Sequence, residues 1–384
     1  MRVCYVALSP TFGMQQYTAD LANQMAGAFA GECAQAWPVT VISNHRIPRN
    51  RYAPQVDVHP IVEIAGTGLQ RTNVSLRGFE RVYHAIRAAR PDVVHFTGPH
   101  VWNAALLLRL KQAGIKTIHT IHDLDPHSGA GYGRLLYLWN NSILRWADHI
   151  LVHGQVYRER LAQRGLNESR VSYLPLLHLF VSYAAEAALR NTHPIAISEP
   201  YALFFARLEA YKGLDTLFEA MRLNETTGMR AIVAGKGTLE QSAPDNVEVR
   251  NRLMEDAEAI DLFSHSSLVV LPYRDATQSA LIGAAYFFGK PVIVTRTGAL
   301  PEYVDKGVTG WIIEPGDATT LAERLREIDR DPDRLRQMGR AGQSWYEAQY
   351  RATRPALRQL YAHVAQTSAR LDDVPASQPE WRRS

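Results

Sequence analysis

One rhythm constrains the fold more than any other feature of the chain. Short, largely apolar runs alternate with stretches of helical spacing, and this happens in both halves. In the first half the apolar runs lie at 3–8, 39–43, 92–97, 116–121 and 150–153. Helical stretches at 17–29 and 101–112 stand between them, the second stopping at Gly114. In the second half the runs are 201–206, 230–234, 246–250, 268–271 and 292–295, with helical stretches at 214–221, 257–264 and 280–288. Strands greasy on both faces and separated by helices predict parallel sheets covered on both sides. Two such alternations predict an α/β protein made of two similar doubly wound domains.

Length agrees. A chain of 384 residues exceeds one ordinary core and suits two domains, and 46% hydrophobic residues supply two sheets. The rhythm fades between 175 and 200, where the connection is expected, although 179–189 also reads as a helix. The expected domains are 1–178 and 195–351. Helices at 319–329 and 332–350 close the second domain, one more follows at 354–366, and the polar, proline-containing tail at 371–384 is expected to be disordered.

The opening run is too short, and too broken by Ser9 and Pro10, to be a signal sequence. No apolar run approaches the roughly 20 residues of a membrane span, so the cytoplasm is the expected location. Cys4 and Cys33 lie far apart, have no metal-ligand spacing and read as reduced, buried thiols. The formal charge is +4 and the pI about 9.0. Spread along the chain, that excess points to phosphate-bearing ligands or an anionic membrane face, not to nucleic acid.

In open parallel sheets the loops at the carboxyl ends of the strands line the ligand crevice. That rule selects Gly13, residues 97–100 with His100, and His122 with Asp123 in the first half. In the second it selects 207–212, Gly235, 274–279 and 297–302. Arg207 and Lys212 follow a strand and precede a helix starting near Gly213, an arrangement suited to a diphosphate. Gly13 is expected in the loop just before the first helix, where backbone can approach a phosphate. His122, directly after a strand, can hydrogen-bond a hydroxyl or exchange a proton near neutral pH.

The segment 206–217, ARLEAYKGLDTL, resembles the G-R-L-x-x-x-K-G-x-x-x-L signature of family 4 glycosyltransferases. The segment 233–239, VAGKGTL, resembles that family's A-G-x-G-x-L. GKPVI at 289–293 and TGALPEYVDKGVTGWIIEPG at 297–316 follow its pattern closely. More weakly, so do Gly13 with Leu21–Ala22 and residues 92–95. The resemblance implies a GT-B fold, two Rossmann-like domains facing across a cleft, with a helix at about 352–370 returning to the first domain. It also implies a nucleotide-diphosphate sugar as co-substrate, retention of configuration, and a carbohydrate or lipid-linked acceptor on the first domain. Carried over by motif, Arg207 and Lys212 hold the donor diphosphate, Gly13 approaches it, and His122 contacts the transferred sugar. Arg252 and Leu253 fall where backbone reads the nucleobase. Glu302 keeps the place of the family's P-E acid, in a structural role or as a donor contact.

The chain departs from the family at one point. The Glu-x7-Glu pair that holds sugar and ribose hydroxyls is replaced by Ala276 and Ala284. Thr277, Gln278 and Ser279 resemble a subset with Thr-Gln-Ser-Gly here, and they and the N–H groups of the following helix can replace part of those contacts. Nothing obvious replaces Ala284. A donor-binding subunit without turnover, or a sugar-nucleotide epimerase, are the alternatives to an active transferase. With Arg207 and Lys212 serving the diphosphate, the expected reaction uses neither metal nor cofactor. The helical stretch at 132–147, with Leu135, Leu138, Trp139, Ile143, Trp146 and nearby Arg134 and Arg145, reads either as core packing or as a peripheral membrane contact.

Overall fold

A computed structural model describes residues 1–29, 35–64, 66, 71–124, 133–192, 201–225 and 228–367. Cys33 and the tail at 371–384 lie outside the described residues, as do the side chains of Arg134 and Leu135. The chain divides into two compact units, 1–175 with 353–384, and 176–352.

Unit 1 runs β1 (Val3–Ala7), α1 (Phe12–Met25), β2 (Val39–Asn44), β3 (Asp57–Val62), α2 (Leu76–Ala88), β4 (Val93–Phe96) and α3 (Asn103–Gln112). It continues with β5 (Lys116–Thr120), α4 (Gly133–Trp146), β6 (His149–Val152), α5 (Gln155–Gln163) and β7 (Val171–Tyr173). The seven strands lie in the order β3-β2-β1-β4-β5-β6-β7. Every described pairing is parallel; Val3, for instance, stands opposite both Val39 and Val93. All residues of β1, β4 and β6 are buried, as strands covered on both faces must be. Cys4 sits in that core as a free thiol whose pKa burial pushes up to about 12.

Unit 2 begins with α6 (Tyr183–Thr192), β8 (Tyr201–Phe205), α7 (Leu214–Arg222), β9 (Arg230–Ala234), β10 (Val247–Arg250) and α8 (Asp256–His265). Then come β11 (Leu268–Leu271), α9 (Leu281–Phe287), β12 (Val292–Thr295), β13 (Gly310–Ile313), α10 (Ala318–Arg330) and α11 (Pro332–Gln366), whose residues from 353 onward count with unit 1. Its six parallel strands are ordered β10-β9-β8-β11-β12-β13. In both sheets the strand order reverses once, between β1 and β4 and between β8 and β11. Those two switch points are where a doubly wound sheet opens to a ligand.

Several local expectations are corrected. Gly13 is not in a loop before the first helix; it lies in the first turn of α1, which starts at Phe12 and ends at Met25, not at 29. The helical stretches at 332–350 and 354–366 are one helix, α11, which carries Pro355 inside it. Proline removes one hydrogen bond there without ending the helix. Strands β3, β7 and β13 and helices α2 and α5 had no counterpart in the sequence reading. Strand β3 is an edge strand with exposed Asp57 and His59, so it never shows an unbroken apolar run. Helix α2 buries only Val82, Tyr83 and Ile86, and starts where the Ser75 hydroxyl oxygen accepts from the Gly78 N–H.

Candidate donor and acceptor sites

The unit 2 switch point collects the sharpest chemistry. Beyond β8 the chain passes through Arg207, makes a 3-10 turn at Ala210–Lys212, and enters α7 through Gly213. Gly213 takes a left-handed conformation, φ 67°, and a Cβ there would stand 1.9 Å from the Pro272 carbonyl oxygen. Only glycine satisfies both demands. The two loops are further joined by the Arg274 N–H, which donates to the Tyr211 carbonyl oxygen at 2.8 Å. Gly235, after β9, has a similar reason: its Cβ would meet the Ala206 carbonyl oxygen at 1.7 Å.

This folding brings Arg207 and Lys212 to one tyrosine. The Arg207 guanidinium pairs with Glu209 at 2.5 Å and donates to the Tyr211 hydroxyl at 3.3 Å. The Lys212 ammonium lies 5.0 Å from the Tyr211 ring centroid and 3.7 Å from that of Tyr273. Tyr273 is wholly buried, and burial raises its pKa against the opposing pull of Ser279 and Arg207. Glu209, Tyr211 and Tyr273 were missed by the sequence reading. Tyr273 directly follows Pro272 at a strand end, which was the available signal.

The other unit 2 candidates fall into two groups. Thr277 and Ser279 are buried, and their loop is held to the next one by Ala299 N–H donating to the Thr277 carbonyl oxygen at 2.9 Å. Gln278 is half-buried between them. Ala276 and Ala284 are buried too, so no carboxylate stands where the family's acids would. By contrast, Arg252, Leu253 and Glu302 are exposed. Arg252 makes a two-pronged pair with Glu258 at 2.6 and 2.8 Å. Glu302 sits in the 3-10 turn Leu300–Tyr303, its N–H bonded to the Ala299 carbonyl oxygen.

Unit 1 offers polar groups of a different kind. His122 is buried and its Nε2–H donates to the Thr97 carbonyl oxygen at 2.9 Å, which leaves Nδ1 as an acceptor. That Nδ1 is buried with no hydrogen-bond partner. Burial lowers the pKa of His122, and the contact with Thr97 only partly opposes this. Burial thus favours the neutral ring, whose Nδ1 can accept from a hydroxyl. His100 is buried as well, with its pKa pushed down to about 4. Helix α4 holds both loops through adjacent residues. The Trp139 Nε1–H donates to the His100 carbonyl oxygen and the Asn140 amide to that of half-buried Asp123. Trp139 is thus tied inward and Ile143 is core, whereas Leu138 is 64% exposed. Gly13 faces open space, and a Cβ there would meet nothing within 4 Å.

Two doubly wound parallel-sheet units joined in sequence are the architecture of a GT-B glycosyltransferase. Residues 12–176 match the family model "Glycosyl transferase 4-like domain", and residues 186–345 match "Glycosyl transferases group 1". Together these span most of the chain, which belongs to the glycosyltransferases of this group 1 and 4-like type. It is similar to a sulfoquinovosyl transferase of Arabidopsis thaliana, 23% identical over 71% of this chain and 56% of the relative. It is also similar to a D-inositol 3-phosphate glycosyltransferase of Segniliparus rotundus, 24% identical over 75% of this chain and 71% of that one. The match to the first thus spans little more than half of the relative's length. Among solved structures, a sucrose-phosphate synthase from Thermosynechococcus elongatus has the same fold. Its TM-score is 0.72 at 19% identity, covering 96% of this chain and 100% of that one. Among the described residues no helix is long and apolar enough to cross a membrane.

Proposed function

We propose that the chain transfers a hexosyl group from a nucleotide-diphosphate sugar to a hydroxyl acceptor, with retention of configuration and without a metal ion. The observation that carries this reading is the pair Arg207 and Lys212, gathered around Tyr211 at the sheet's switch point. Breaking the bond between the anomeric carbon and the diphosphate leaves a dianionic oxygen cluster. Two fixed cations beside the start of α7 stabilise that charge as it develops. The acceptor oxygen bonds to the anomeric carbon on the same face, and its proton passes to the departing phosphate oxygen. Neutral His122, through Nδ1, accepts a hydrogen bond from a sugar hydroxyl. Thr277, Gln278 and Ser279 take over hydroxyl contacts that the subset lacking the first acid would otherwise lose.

The test is a panel of nucleotide sugars with detection of released nucleoside diphosphate and assignment of the product anomer. Arg207→Ala should slow turnover by about 10²–10³-fold, the usual size for one oxyanion-stabilising group. Undiminished turnover in that variant overturns the assignment. A second reading has its own support in the two buried alanines, 276 and 284: a donor-binding subunit that binds without turnover. It predicts nucleotide-sugar binding and no product in any acceptor mixture. A peripheral membrane contact through exposed Tyr137 and Leu138, with exposed Arg145 nearby, is tested by sedimentation with anionic vesicles.

A further inference from the structure

Lysine is a flexible point charge, and a phosphate-binding lysine works best when something fixes where its ammonium points. In this chain Lys212 has such a support. Its Nζ lies 3.7 Å from the centroid of the Tyr273 ring, closer than to the ring of its own neighbour Tyr211 at 5.0 Å. Tyr273 has no solvent exposure, so the ring face that meets the ammonium is shielded from competing water. A ring attracts a cation most strongly when water is excluded, and it does so without neutralising the charge as a carboxylate would.

The two residues belong to segments that cannot drift apart. The Tyr211 carbonyl oxygen accepts from the Arg274 N–H at 2.8 Å, and Gly213 rests against the Pro272 carbonyl oxygen. The Thr295 hydroxyl donates to the Tyr273 carbonyl oxygen at 2.6 Å, which fixes the residue from the β12 side. At its far end the Tyr273 hydroxyl is buried. One aromatic side chain therefore touches the lysine expected to bind phosphate, and stands four residues before the loop expected to hold the sugar.

We infer that Tyr273 is a positioning residue, whose ring holds the Lys212 ammonium in place for the donor diphosphate. This rests on the donor-site reading above. The ring acts through Lys212 and does not itself touch the diphosphate.

The experiment is calorimetric titration of the full chain with UDP, GDP and ADP, followed by the same titration of variants with the best binder. Tyr273→Leu should weaken binding by about tenfold, within the range of a desolvated cation–π contact. Tyr273→Phe should rescue most of that loss, because the ring remains. In a Lys212→Met background Tyr273→Leu should add nothing further, since the group it positions is gone. Pentafluorophenylalanine at 273, introduced by nonsense suppression, keeps the shape but removes the negative ring face, and it too should weaken binding by about tenfold. This last variant covers the case in which the leucine chain fails to fold. Wild-type affinity with the fluorinated ring, or full additivity of Tyr273→Leu with Lys212→Met, overturns the inference and leaves the donor site standing. A wild-type chain that binds none of the three nucleotides overturns the donor site itself.

Discussion

The two units wind their sheets in the same order about a single reversal, yet they keep their polar groups in opposite places. Unit 1 carries them inside. From the Tyr361 hydroxyl a chain of contacts runs to His95 at 2.8 Å, from His95 to Thr120 at 2.8 Å and on to the Tyr17 hydroxyl at 3.1 Å. The Tyr17 ring then meets the edges of His122 and His153 at about 5 Å. Unit 2 has a drier centre around fully buried β11 and β12 and holds its charge at the rim, on Arg207, Arg252 and Arg274. The same backbone plan thus serves two chemistries: neutral acceptors set in a core, and fixed cations at a mouth. Buried polar networks are costly if any member loses its partner, whereas rim pairs are cheap to disturb.

Acid should separate the units most strongly. Five histidines of unit 1 are held below the ordinary range by burial: His95, His100, His119, His122 and His149. Two are pushed to about 4 and one to about 3. As pH falls through 6.5 the unfolded chain takes up protons that these folded rings refuse, so stability is full above that value and falls toward pH 4. Each contributes up to about 1.4 kcal/mol per pH unit, several kcal/mol in sum by pH 5. In unit 2 burial lowers Lys290 to about 8, so its stability should instead rise between pH 8 and about 10.5. Hydrogen exchange at pH 7.5 and 5 should show β4 and β5 losing far more protection than β11 and β12. Equal losses would erase the contrast.

Close backbone packing is the reverse case, tighter in unit 2. Gly213 and Gly114 have nearly the same φ, 67° and 71°, but a Cβ at Gly114 meets nothing within 4 Å. Gly114→Ala in unit 1 should therefore cost only the left-handed penalty, about 1–2 kcal/mol. Gly213→Ala must also push Pro272 aside and should cost more than about 3 kcal/mol, lowering the melting temperature by at least about 6 °C. Similar melting curves for the two variants would mean that the 207–213 loop yields easily, and a yielding loop could not hold its cations in place.

Much of this contrast was readable beforehand, and the unreadable part has a physical reason. Largely apolar strands such as Leu268–Leu271 and Val292–Thr295 announce themselves, because burial on both faces leaves few polar residues in the run. Edge strands such as Asp57–Val62 bury one face and look like loops. The strand-end positions of Arg207, Lys212 and Gly235 were legible because they are set by backbone position within a few residues. Tyr273 was not, since it meets Lys212 only after 61 residues of chain have folded back. Neither was the neutrality of His122, which depends on Tyr17 and His153 packing against its ring.

A pair of threonines sharpens the difference in single hydroxyls. In unit 1 the Thr120 oxygen serves both His95 Nε2 and the Tyr17 hydroxyl, so Thr120→Val strands two buried polar atoms. In unit 2, Thr295→Val strands one, the Tyr273 carbonyl oxygen. Losses of about 2–3 and about 1 kcal/mol are expected from chemical denaturation, since each stranded group costs its desolvation.

The smallest effect should come from the rim itself. Glu258 holds Arg252 by two contacts and Arg250 by a third at 3.1 Å, and the Arg252 guanidinium beside it lowers its pKa. On paper this is the densest ion cluster described in unit 2, yet Arg252 remains 57% exposed. Water and salt screen such a pair, and its geometry costs side-chain entropy, so Glu258→Gln should change stability by no more than about 1 kcal/mol. What stabilisation there is belongs above the unfolded carboxylate's pKa and vanishes as pH falls through the lowered folded one. The variant and the parent should therefore converge in acid and in high salt, as read by melting temperature. A loss of several kcal/mol that persists in salt would mean that Glu258 is supporting a core, and that unit 2 keeps as much of its polarity inside as unit 1 does.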